Sequence, residues 1–498
     1  RRRSAHLRIA QALQEDKSIG VAALPELLAY HFMTGGNYAA AIDCFLEAGR
    51  NARLRSAQAE AIHHYDTIAE LLEKIPEDEA YPREEKELAM YAALASCRAA
   101  VDGYSADSAR DAYQRAEELA GSLRNQPMLF KARYGLEAYY MMRGDFSRAL
   151  TLAQSCQAMA ERAYQSLAAG PKNAAHDAYV ITLAQAYWVT GSLLFHQGEF
   201  AQAMSQMDYC KQLCEPVPPE HRRKTQDPGV MCQVYQAWYA WESGNPDRAI
   251  DRVEQAVRDA RSSGLAYSLG VALGFDACIH FFRREYSECL TRASEAISVC
   301  AEPGYLTWLA WAKVLRGRAL AESAEQRTRG IAEIIDGLRL WDDTGAIVTR
   351  PFALALLAEA YSLDEQRDEA LRCIELARQT VDEYGERYYE AEIDRLRGNF
   401  ILANAEAGDA DAAHRAEQSY QSAIAFARAR GMRSSLLRAT TDLGRLRAQR
   451  GAKDQAIADL EAALAPFAEG LATGDLIAAR GLLTQIKRDA AGIRGNCA

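Results

Sequence analysis

The chain has almost none of the alternating β-branched pattern of half-buried strands, so its core must be built without sheets. It contains no run of eighteen or more consecutive apolar residues, the length that marks a bilayer-crossing helix. GxxxxGK[ST], HExxH, GxSxG and paired CxxC are all missing, which removes the common short signatures of phosphate cradles, zinc proteases, serine hydrolases and zinc ribbons. Positive charge is in deficit: 58 Lys and Arg stand against 68 Asp and Glu, for a net charge of −10. A dedicated nucleic-acid binder needs clustered cations, and the short basic groups at Arg1 to Arg3 and His221 to Lys224 do not supply them. The eleven cysteines form no framework; Cys44, Cys156, Cys289 and Cys373 sit inside apolar helical patterns, where cysteine acts as a small core residue. The opening RRRSAHLRIAQAL has neither an initiator Met nor the apolar segment of a secretory signal, so the expectation is a piece of a longer cytoplasmic protein.

What the sequence has instead is helix period nearly everywhere. Apolar residues return every three or four positions, as in IAELLEKI from Ile68 and AIDRVEQAV from Ala249. At 498 residues, with 49% hydrophobic and 25% charged content, the chain exceeds what one core requires and must be several domains or an array. A turn-like phrase decides between these. RGDFSRA from Arg143 is matched by QGEFAQA from Gln197, SGNPDRA from Ser243, RREYSEC from Arg283, GGNYAAA from Gly35 and RGAKDQA from Arg450. All but RREYSEC carry a glycine that permits a left-handed turn. Phe146, Phe200, Tyr286 and Tyr38 stand where a ring can pack under the corner, with Pro246 and Lys453 as the exceptions. The closing small residue lets two helices approach. RGD is therefore a helix-turn-helix corner and not an adhesion signal.

Aligned on the small residue, Ala149, Ala203, Ala249 and Cys289 are spaced 54, 46 and 40 apart, with later units expected near Ala332, Ala370 and Ala456. Gly191 and Gly444 stand twelve residues before Ala203 and Ala456, where paired helices would cross closely, and Cys210 and Ala463 follow seven residues after. The units are longer than the 34-residue tetratricopeptide period but share its internal signature. The predicted fold is all-α: a tetratricopeptide-like helical-hairpin solenoid, a right-handed superhelix of roughly nine to ten pairs. It is expected as one continuous array with segments at 1–75, 76–229 and 230–490. The joints are read at Lys74 to Glu87, at Leu167 to Asp177, and at Glu215 to Val230, where Asp227-Pro228 restarts a helix.

From QDPGVMCQVYQAWYAWESGNPDRAI (Gln226 to Ile250) onward the chain resembles a bacterial family. The resemblance continues through GYLTWLAWAKVLRGRAL, RPFALALLAEAYSLDEQRDEAL and GERYYEAEIDRLRGNFIL to APFAEGLATGDLIAARGLL. The family is the C-terminal tetratricopeptide region of signalling proteins in which a class III adenylate or guanylate cyclase domain precedes a STAND/AAA-type ATPase. The resemblance implies a non-catalytic regulatory arm with the cyclase and ATPase domains upstream in cis. Alternatives are a free-standing peptide- or protein-binding scaffold, the arm of a transcription regulator, or an enzyme of unknown type.

Candidate sites are correspondingly few. Met141, Phe195, Trp241 and Phe281 recur eight residues before the small residue of successive units, and Trp188, Trp238, Trp308 and Trp311 extend the pattern. Such residues could line a concave groove for a protein or peptide, or fill helix interfaces. The QDPGV helix start, with His221, Arg222 and Arg223 nearby, is a candidate contact for an anion or acidic side chain. Cys210, Cys214 and His221 form the best metal grouping but lack a fourth ligand. Adjacent His63 and His64 point to different sides of a helix. No cofactor, metal, catalytic residue, membrane or direct nucleic-acid contact is expected.

Overall fold

The structure, a computed structural model, describes residues 1–15, 25–55, 57–76, 81–167, 173–222, 226–302, 305–406 and 408–495. Among these there are twenty-three α-helices and no strands. They fall into two compact units. The first holds residues 1–159 together with 344–346, and the second holds 160–343 and 347–498.

In the first unit, α1 (Arg2–Glu15), α2 (Pro25–Gly35), α3 (Tyr38–Leu54), α4 (Gln58–Leu72), α5 (Arg83–Val101), α6 (Asp107–Ser122) and α7 (Gln126–Met142) each pack on their neighbours in sequence. Helix α8 (Phe146–Leu167) carries the boundary between the units. The second unit continues with α9 (Ala174–His196), α10 (Phe200–Cys214), α11 (Pro228–Glu242), α12 (Pro246–Ser263), α13 (Ala266–Arg283), α14 (Tyr286–Ala301), α15 (Leu306–Leu320) and α16 (Arg327–Thr344). It ends with α17 (Arg350–Leu363), α18 (Arg367–Tyr384), α19 (Glu390–Ala403), α20 (Ala410–Arg430), α21 (Arg433–Gln449), α22 (Lys453–Leu464) and α23 (Gly474–Gly495). From α9 to α23 the odd-numbered helices also pack on one another in succession, so each hairpin contributes its first helix to a shared layer. This is tetratricopeptide-like stacking: no hairpin buries its apolar face alone, and each does so against the next.

The corners follow from backbone sterics. Gly36, Gly144, Gly198, Gly244 and Gly451 adopt φ between 77° and 89°, a conformation that costs glycine nothing. The phrase without glycine makes the same turn: Arg284 takes φ 64°, at a cost of roughly 1 kcal/mol for a residue with a Cβ. The closing residues Ala41, Ala149, Ala203, Ala249, Cys289 and Ala456 are fully buried. At Gly191 an added Cβ would lie 3.2 Å from the Ala203 carbonyl oxygen, the close crossing expected from the spacing.

One register differs from expectation. Ala332 is exposed, and buried Gly330 takes the corner slot of α16. The longer turn before Arg327 shifts the alignment by two residues. Gly330 meets Gly317 of α15 backbone to backbone; a Cβ on Gly317 would stand 2.6 Å from the Gly330 carbonyl. Helix α9 is long and apolar enough to cross a membrane by composition, but 67% of its most apolar window is buried inside the protein.

The core of the second unit is an aromatic seam around Trp238. Its indole meets Phe195 of α9, Phe275 and Phe282 of α13, Trp311 of α15, Phe352 of α17 and Tyr388 just before α19, with ring centroids 5.1–6.1 Å apart. Trp311 stacks on Phe352 at 4.8 Å and donates from Nε1 to the Gly274 carbonyl at 3.2 Å. First helices from five hairpins are thus joined through their rings, most in edge-to-face contacts that suit aromatic quadrupoles.

Candidate functional site

Two helical turns beyond those rings the chemistry changes. Arg318 lies seven residues after Trp311, Glu359 seven after Phe352, and Arg395 seven after Tyr388. On α15 and α17 a seven-residue step returns to the same helix face, so Arg318 and Glu359 share the layer of the seam without being part of it. They line a cleft of about 380 Å³ in the second unit, together with Phe281, Arg284 and Tyr286 from the α13–α14 corner, Ser362 of α17, Glu392 and Asn399 of α19, and Arg438 of α21.

The charges form two neighbouring networks, one on Arg318 and one on Arg395 and Arg438, which together make a ladder along the cleft. Arg318 donates to Glu322 at 2.8 Å and Glu359 at 3.2 Å. Arg395 donates to Glu392 and to Asp442, each at 2.6 Å. Arg438 bridges Glu392 at 3.3 Å and Asp475 at 2.5 Å, and Arg284 reaches the same Asp475 at 2.6 Å. Asn399 donates to Asp442 at 3.1 Å and accepts from the Tyr420 hydroxyl at 2.6 Å. Arg438 also stands 5.5 Å over the Trp241 ring, tying the ladder to the apolar side.

Burial and pairing oppose each other in this ladder. Burial disfavours the Glu392 carboxylate, but Arg395 and Arg438 outweigh it and hold its pKa down at about 2. For Arg318 burial again works against charge, and Glu359 and Glu322 more than restore it. Glu242 behind the cleft shows the reverse balance. Burial pushes it up to about 7 although Ser435 donates to it at 2.8 Å and Arg438 lies close. Glu242 and Ser435 are 3% and 5% exposed, so this hydroxyl–carboxyl pair has no access for a substrate.

The aromatic candidates fall into two sets. Phe195, Trp238, Trp241, Phe281 and Trp311 are all buried, at 6% exposure or less. They do not line an open groove, because first helices from distant parts of the second unit close over them. Phe281 alone among them reaches the cleft wall. Met141, Trp188 and Trp308 are half-buried. The anion candidates are not assembled as expected. His221 pairs with Asp177 at 2.6 Å, and Arg222 faces Asp227 at 3.9 Å. The α11 start is capped by Asp227 itself, which accepts from the Gly229 amide at 2.8 Å, so its own carboxylate takes the place an anion would occupy. Arg223 lies outside the described residues. Cys210 and Cys214 are buried, whereas His221 is turned outward to its aspartate, so the three do not form a ligand set.

Sequence reasoning does not find the cleft, because its charges come together only from separate hairpins. The signal was present in the solitary Glu359 of FALALLAEAY and in the arginine a heptad beyond a buried tryptophan.

No family model matches this chain. No curated protein matches it either. Solved structures of helical-repeat proteins are similar to it. The Rap protein complexed with competence and sporulation factor is 12% identical, covering 82% of this chain and 100% of that one with a TM-score of 0.46. Yeast Tom70 is 12% identical over 97% and 96% of the two chains, with a TM-score of 0.36. The apo form of RapI is 13% identical over 63% and 99%, with a TM-score of 0.38. At these values the likeness carries no argument about what the chain binds.

Proposed function

We propose that the chain is a non-catalytic protein-interaction arm whose cleft takes a peptide segment of a partner. The observation that carries this is the ionic ladder, in which guanidinium and carboxylate groups from successive hairpins alternate along one opening. Each arginine there already faces a carboxylate, so the cleft offers no surplus positive charge for a polyphosphate. A peptide can exchange into such a ladder, because its side chains and backbone amides supply both signs and both hydrogen-bonding roles. Phe281 and Tyr286 add apolar wall against which a side chain can anchor.

The finer reading is that the arm regulates an attached ATPase and nucleotide cyclase in the bacterial cytoplasm. It rests on the resemblance of the QDPGV to APFAEGL stretches. A ligand favouring one arrangement of the hairpins would bias the attached module by its differential affinity for the two states.

The direct test is panning a random peptide library on immobilised wild-type chain and on Ser362→Trp, which fills the cleft from a half-buried position. Peptides enriched on wild type and lost on Ser362→Trp are the expected outcome. Absence of enrichment, or equal retention by both, contradicts the cleft reading. Reading the codons upstream of Arg1 tests the finer claim: a cyclase and a P-loop ATPase are expected, and a DNA-binding head or a nearby start codon excludes it.

A further inference from the structure

The first unit contains a group of side chains that no part of the peptide-binding reading uses. Glu60 and His64 lie one turn apart on the same face of α4, and Glu26 comes to them from the first turn of α2. Their donor atoms all lie within 4.8 Å of one another. Nε2 of His64 is 3.7 Å from the nearer Glu60 oxygen, beyond hydrogen-bonding distance. The His64 side chain is 9% exposed, its ring is backed by Phe45 at 5.8 Å, and neither ring nitrogen has a hydrogen-bond partner. A buried imidazole with both nitrogens unmatched, facing two carboxylates, leaves a polar deficit that one cation between the three groups would remove.

From this geometry we infer that Glu26, Glu60 and His64 form a binding site for a divalent first-row metal such as zinc, tying α2 to α4. One imidazole and two carboxylates are a borderline-hard donor set, suited to zinc, cobalt or manganese rather than to soft cuprous ion. Three protein ligands leave a fourth position for solvent. Donors around a tetrahedral zinc stand about 3.3 Å apart, so the glutamate side chains need close by at most about 1.5 Å. Two carboxylates attract a dication, against the opposing charge of Arg55 on Glu60. The Glu60 oxygen nearest His64, Oε1, also accepts from Arg55 at 2.9 Å, so a bound metal would share that oxygen with the guanidinium or displace it.

Burial lowers the His64 pKa against the opposing pull of Glu60 and Glu26. The alternative occupant is a proton, which would make an imidazolium between the two acids. A second histidine grouping must be separated from this one: Nδ1 of His6 and Nδ1 of His31 lie 2.9 Å apart between α1 and α2.

The test is cobalt titration of the full chain after stripping with chelator, read by visible d–d absorption and by bound metal per chain. One equivalent of cobalt, displaced by zinc, is expected. His64→Ala should abolish the bands and Glu26→Gln should weaken binding by about tenfold or more, while His31→Ala should leave both unchanged. Zinc should slow hydrogen exchange across residues 25–35 in wild type and not in Glu26→Gln. If His64→Ala fails to fold, Glu26→Gln decides, because it keeps the hydrogen-bonding shape and removes the ligand charge. No stoichiometric binding, equal binding by Glu26→Gln, or loss confined to His31→Ala each overturns the assignment.

Discussion

Trp311 and Arg318 occupy one face of α15, as Phe352 and Glu359 do on α17, yet the two levels of this layer do different things. At the upper level the rings close on each other and exclude water. At the lower level guanidinium and carboxylate groups pair between neighbouring helices but leave about 380 Å³ open. Aromatic side chains gain by filling space completely. Charged groups lose their hydration when buried, and Arg318 and Glu392, at 5% and 3% side-chain exposure, are held by their ion-pair partners along the cleft wall instead. A single repeat geometry therefore yields a sealed seam and a docking surface by a change of residue type two turns along each helix.

The largest expected effect comes from breaking the seam. Trp238→Ala removes the ring that six others surround and should cost about 4–5 kcal/mol, read as a lowered denaturant midpoint. Next is the ladder. Glu392→Gln strips the carboxylate shared by Arg395 and Arg438 and should destabilise by about 3–4 kcal/mol near neutral pH. Because the folded pKa of Glu392 is depressed to about 2 from 4.5, that stabilisation is present above pH 4.5 and is lost as the pH falls toward 2. The wild-type and Gln curves should therefore converge in acid.

Glu242 carries the opposite sign. Its folded pKa is raised to about 7 from 4.5, so its contribution is present below pH 4.5 and is lost as the pH rises through 7. Glu242→Gln should therefore gain on wild type by about 3 kcal/mol between pH 5 and pH 8, measured by paired urea titrations. The smallest effect is at the cleft rim. Arg284→Gly relieves the left-handed backbone and gives up a half-exposed ion pair, so it should stabilise by up to about 1 kcal/mol in thermal unfolding. A clear loss there would mean that the Asp475 contact matters more than the strain.

The helical hairpins and their corners were legible because they depend on local chemistry: a turn residue, a small residue at the crossing, and period 3.6. Register failed only where the turn before α16 lengthened and Gly330 replaced the expected Ala332. The placement of the aromatic residues was not legible in the same way. Helical spacing shows that Trp238 shares a face with its neighbours, but not that Tyr388, 150 residues later, closes over it. The cleft was hidden for a related reason. Arg395 beside Glu392 looks like an ordinary exposed i,i+3 pair until α21 brings Arg438 and Asp442 against it. The sequence held the residue types at the right spacing, while the partners that give them a role lie on other hairpins.

The most direct measurement is fluorescence anisotropy of one peptide selected on the wild-type chain, titrated into Ser362→Trp and, separately, into Trp238→Phe. Affinity is expected to fall by about tenfold or more, near 1.4 kcal/mol, for Ser362→Trp and to stay unchanged for Trp238→Phe. Loss in Trp238→Phe with full binding by Ser362→Trp would show that the aromatic seam opens to take the ligand and that the ionic cleft is not the docking site.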